Sequence, residues 1–68
     1  MYRKEIILDD KSYVETSSRI LENEEGLALT LRGPKGQNET ALASVILDLD
    51  ETRELVTNLL GWIKTQER

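Results

Sequence analysis

Residues 40–63, TALASVILDLDETRELVTNLLGWI, carry a strand, a helix start and a helix with almost nothing between them. In the first half Ala41, Ala43, Val45 and Leu47 fall on one side of an extended chain. Leu42 and Ile46 fall on the other, with Ser44 between them. Apolar residues on both sides are the pattern of a strand covered on both faces, so this segment is expected at the centre of a sheet. In the second half the period lengthens: Thr52, Leu55, Val56, Leu59 and Ile63 recur along one helical stripe, which Leu60 and Trp62 widen. The change of period falls at Asp48. Its carboxylate is placed to accept from the free amides of a first helical turn, and Glu51 three residues on completes a reciprocal Asp-x-x-Glu box. Asp50 and Glu51 also suit the positive end of the helix dipole. The helix is expected over 49–65. Gly61 within it costs about 1 kcal/mol relative to alanine, and Ile63 keeps the phase beyond it.

Working outward from that stretch, the loop 33–38, GPKGQN, holds most of the common loop residues at once. Before it Leu27, Leu29 and Leu31 alternate with Ala28, Thr30 and Arg32, the clearest strand in the chain. Asn23-Glu24-Glu25-Gly26 reads as a hairpin turn, with Gly26 supplying a positive φ. Over 13–21 Val14, Thr16, Ser18 and Ile20 share a phase; this weaker strand is expected near a sheet edge. Residues 2–8 form the first strand, and Asp9-Asp10-Lys11-Ser12 a turn after it. The fold class is therefore α+β: one domain over 1–68, with strands at about 2–8, 13–21, 27–32 and 40–47. They form a four-stranded antiparallel meander, followed by one C-terminal amphipathic helix packed on one face of the sheet. A single helix covers a single face. Leu29 is assigned to that covered core, and a homodimer or higher closed oligomer is expected to pack through the other face, which carries Leu42, Ser44 and Ile46.

Composition narrows the chemistry. Sixty-eight residues bury only about 60% of the surface they expose when unfolded, and such domains commonly lean on disulfides, a metal or a partner. The chain has no cysteine and no histidine, so it lacks a disulfide, a thiolate nucleophile, and the commonest general base and metal ligand. A partner chain is the remaining source of stability, and a homodimer or higher homo-oligomer is expected. With 9 Lys and Arg against 13 Asp and Glu the net charge is −4, which disfavours nucleic-acid backbones and anionic membranes. The apolar run Ile6-Ile7-Leu8 is far too short for a signal sequence, and the protein is expected in the cytoplasm.

Each motif has a plain structural reading. Asp48-Leu49-Asp50-Glu51 resembles a divalent-cation set, but a helix start explains the same spacing, so no metal is assigned. Gly33-Pro34-Lys35-Gly36 lacks the Gly-Lys-Ser/Thr of a phosphate-binding loop. Arg32 and Lys35 beside it are nevertheless the candidate contacts for a small anionic ligand. Thr16-Ser17-Ser18 has no base near it in sequence, and no catalytic residue or cofactor is assigned. Glu22, Glu24 and Glu25 form one acidic group, and Asp48, Asp50, Glu51 and Glu54 a second. Acids so grouped can imitate phosphates toward a nucleic-acid-binding partner. Trp62, the only tryptophan, reads as an anchor between helix end and sheet, and as an interface candidate with Leu42, Ser44 and Ile46. The segment 47–60, LDLDETRELVTNLL, resembles the strand-into-capped-helix ending of many short bacterial and phage proteins. The resemblance implies an accessory protein and carries no functional residue across. The expected function is a small non-enzymatic protein-interaction module of adaptor or inhibitor type, acting as a homo-oligomer. The alternatives are an oligomeric binder sequestering a nucleotide-like signal and, third, a nucleic-acid mimic.

Overall fold

The computed structural model describes residues 2–67, leaving aside the side chain of residue 21. Four strands, β1 (Arg3–Ile7), β2 (Tyr13–Leu21), β3 (Glu24–Arg32) and β4 (Ala41–Leu47), precede one helix, α1 (Leu49–Gln66). The strands pair antiparallel in the order β1-β2-β3-β4, so every neighbour in sequence is a neighbour in space. The expected α+β meander with a C-terminal helix is the fold observed.

The hairpins explain where the strands begin. Between β2 and β3 the loop is only Glu22-Asn23, both with positive φ (48° and 69°), the backbone of a two-residue turn whose twist matches the strands. β3 therefore starts at Glu24, three residues before the expected 27, and Gly26 belongs to the strand, not to the turn. A Cβ at Gly26 would stand 3.0 Å from the Leu47 carbonyl oxygen, so close approach of β4 is what calls for glycine there. Between β1 and β2, Lys11 takes φ 75°, its N–H donates to the Leu8 carbonyl at 3.0 Å, and the Asp10 carboxylate accepts from the Ser12 amide and hydroxyl.

Two positions in the sheet differ from expectation. β2 lies inside, between β1 and β3, and β4 is an edge strand. The apolar character of both sides of β4 led to the opposite expectation; here all of it but Leu47 is exposed.

The register sorts the side chains into two layers, because residues paired across strands share a face. One layer runs through the rows Ile6-Val14-Leu31-Ala43, Lys4-Thr16-Leu29-Val45 and Ser18-Leu27-Leu47. It is mostly apolar, with Lys4, Thr16 and Ser18 as its polar members. The other runs through Glu5-Glu15-Thr30-Ser44 and Arg3-Ser17-Ala28-Ile46, with Tyr13 opposite Arg32. It is largely polar, yet it contains the residues buried within the strands, among those described: Tyr13, Ala28, Glu15 and Thr30.

α1 begins as the sequence indicates. The Asp48 carboxylate accepts from the Glu51 amide at 2.8 Å, and the Glu51 carboxylate accepts from the Asp48 amide at 3.0 Å. The helix runs through Gly61 to Gln66. It touches β3 and β4, but no helix residue is buried and only Thr52 and Leu55 are half-shielded. The chain is accordingly extended, 41 × 34 × 19 Å with a radius of gyration of 13.7 Å. A compact chain of this length would have about 11 Å. Trp62 is 64% exposed and does not anchor the helix end to the sheet. Nor does α1 cover Leu29, which lines an open apolar depression of about 300 Å³ with Val14, Leu31, Ala43 and Val45.

Candidate functional surfaces

Three surfaces follow from this arrangement. The first is the polar layer. Glu15, in the middle of β2 and 5% exposed, is held between two guanidiniums. Arg3 Nε donates to Glu15 Oε2 at 2.8 Å, and Arg32 Nη2 reaches Oε1 at 3.5 Å. The Arg3 hydrogen bond holds the Glu15 carboxyl below the usual carboxylate range. Lys35 Nζ donates to Glu5 at 2.7 Å and stands 4.6 Å from the centre of the Tyr13 ring. The Tyr13 hydroxyl donates to Glu39 at 2.8 Å, and the Gly36 amide donates to the other Glu39 oxygen at 3.0 Å. The Gly36 and Tyr13 hydrogen bonds lower the Glu39 pKa, while burial raises that of Tyr13.

The network straps the 33–40 loop onto the sheet. It also occupies the two residues singled out for an anionic ligand: Arg32 is paired with Glu15 and with the Glu39 carbonyl, and Lys35 with Glu5. A ligand anion would have to displace a carboxylate from each.

The second surface is the free edge and end of β4. The two sheet edges contrast. β1 is five residues long and carries Arg3, Lys4 and Glu5, whereas β4 is seven residues without a charge or a proline. Charges are what usually guard an edge against pairing with another chain, and β4 has none. Ile46 lies here on the polar side of the sheet, with the Ser44 hydroxyl 3.0 Å from that of Thr30, and the exposed Leu42 stands at the register shift between Ala41 and Ala43. At the Ile46 end, a cleft of about 470 Å³ is lined by Glu22, Glu24, Glu25, Asp48 and Glu51. The two acidic groups, separate in sequence, thus meet at one place. Among the described residues no cation pairs with any of these five, and no group of three acids is placed to hold a metal ion.

The third surface is apolar and has two parts. One is the layer around Leu29, Leu31 and Val45. The other is the helix stripe of Val56, Leu59, Leu60, Trp62 and Ile63, all exposed. Sequence reasoning found the stripe; the helix meets the sheet as expected, at Thr52 and Leu55, and the rest of the stripe stays exposed. Among the described residues no helix is long and apolar enough to cross a membrane. Comparison of the chain with protein families, with curated proteins and with solved structures finds no match.

Proposed function

We propose that the protein is a non-enzymatic interaction module of adaptor or inhibitor type that works in the cytoplasm as a homodimer and binds another protein along β4. One observation carries the reading: the fold leaves its apolar material outside. Among the described residues only Tyr13 and Ala28 are buried apolar residues, while Val56, Leu59, Leu60, Trp62 and Ile63 of the helix stripe and Ile6 and Val45 of the apolar sheet layer are exposed, and Val14, Leu27, Leu29 and Leu31 of that layer are only half-buried. An isolated domain with so little core has little to offset the entropy of ordering its chain. Exposed apolar surface on this scale marks contact with other chains.

The division of surfaces supports the rest. The apolar layer and helix stripe serve self-association. The unguarded β4 edge, with Leu42, Ser44 and Ile46 beside it, serves a partner whose strand or extended segment adds to the sheet. The carboxylate cleft at the end of β4 favours a partner with a basic residue at that point. The paired Arg32 and Lys35 give the small-anion reading no open cation to rest on.

Sedimentation equilibrium at tens of micromolar protein tests the foundation of this reading. A homodimer is expected, with a thermal midpoint that rises with protein concentration. A stable, folded monomer at that concentration would refute it.

A further inference from the structure

The helix stripe and the apolar sheet layer are both uncovered in one chain, and the chain is built so that they do not cover each other. One residue, Asp48, separates β4 from α1, and its capping box with Glu51 sets the angle at which the helix leaves the sheet. After its first two turns α1 has no half-shielded residue. Beyond Leu55 the stripe of Val56, Leu59 and Ile63 lies bare, while on the sheet the half-buried Leu29 and Leu31 and the exposed Val45 line an open depression. Each surface is what the other lacks.

The area agrees with a mutual arrangement. The chain exposes 5729 Å² at a mass of 7.8 kDa. A compact monomer of that mass exposes about 4,400 Å². The surplus is about 1,300 Å² per chain, or about 2,600 Å² for two, which lies in the range of obligate homodimers, about 2,000–5,000 Å².

From these observations we infer an exchanged-helix homodimer: α1 of each copy lies across the apolar sheet layer of the other, with Leu59 near Val45 and Leu29 of the second copy. The arrangement is two-fold and closed, since each copy gives one helix and receives one. It turns both polar layers, with their Glu15 and Glu39 networks, to the outside of the dimer.

The inference rests on the homodimer reading, and the absence of native cysteine allows a test that separates the two. Val45→Cys and Leu59→Cys are made in separate chains, one with a tag that changes its gel mobility. The chains are mixed, unfolded and refolded together, and treated with a short bismaleimide. The expected result is a mixed crosslink of one tagged and one untagged chain, formed at least tenfold faster than either variant crosslinks with itself. Fast crosslinking of Leu59→Cys with itself would show helix packed on helix and overturn the exchange. So would a crosslink within single chains carrying both substitutions. A second pair, Leu31→Cys with Ile63→Cys, repeats the test should either first variant lose its circular dichroism spectrum. In the parent protein, a monomer by sedimentation would sink the homodimer reading itself, whereas a dimer without the mixed crosslink in either pair would sink only the exchange.

Discussion

Replacing Leu59 by alanine tests the division of surfaces at the centre of the helix stripe. In the single chain Leu59 is 54% exposed. Leucine and alanine differ little in helix propensity, so the fold of one chain should barely register the change. In the proposed homodimer the uncovered half of the side chain would be buried by the second copy. Full burial of a leucine stabilises by about 1.5–3 kcal/mol, so the missing half amounts to about 1 kcal/mol. The change occurs twice per dimer, giving about 2 kcal/mol, or a roughly thirty-fold rise in the dissociation constant. Leu59→Lys should be worse, because it sets an unpaired ammonium group against an apolar layer. Sedimentation equilibrium over a hundred-fold concentration range reads the constant directly. Ile46→Lys is the contrast: Ile46 is exposed on the polar side of β4 beside five carboxylates, and the dimer should persist. A dimer indifferent to Leu59→Ala and Leu59→Lys, yet broken by Ile46→Lys, would refute the reasoning and move the self-association surface to the other side of the sheet.

Asp48→Ala removes the acceptor for the Glu51 amide and should cost about 1 kcal/mol, lowering the thermal midpoint by roughly 4–8 °C in a domain of this size. Calorimetry at fixed protein concentration checks it. Gly33→Ala should destabilise more than an ordinary surface change, because a Cβ there would clash with the Asn38 carbonyl oxygen and force the 33–40 loop to move; urea unfolding monitored by tryptophan fluorescence measures the loss. The depressed pKa values of Glu15 and Glu39 set the pH response. A carboxyl that is more acidic folded than unfolded contributes stability that is fully present above its ordinary value, and that contribution is lost as pH falls through the lowered one. Urea midpoints should therefore hold level from pH 7 down to about 5.5 and fall progressively below about 5, where unfolded carboxylates begin to take up protons. Glu15→Gln should lower the midpoint at pH 7 and flatten that acid limb. An unchanged acid limb in this variant would show that Glu15 is not among the groups responsible.

Much of the local structure was legible because it is set by residues close in sequence. The alternation of Leu27, Leu29 and Leu31 and the Asp48–Glu51 box each name an interaction within a few residues, and each is observed. Trp62 shows the limit. Its place on the helix stripe could be read, but whether anything lies against that stripe could not. The Glu15 network joins β1, β2 and β3, and no spacing in the sequence marks it. The cleft acids were visible as two groups, and only the pairing of β3 with β4 brings Glu24 and Glu25 beside Asp48.

The sequence by itself determined the element types, the helix start and the presence of apolar faces, since periodicity and capping depend on neighbours one to four residues away. Only the tertiary structure decided that β2 is internal and β4 an edge, which layer of the sheet is apolar, and that α1 meets that layer only through its first two turns. Strand order depends on pairing between residues distant in the chain. The path of the helix depends on the backbone angle at a single residue, Asp48, which a pattern of apolar positions does not encode.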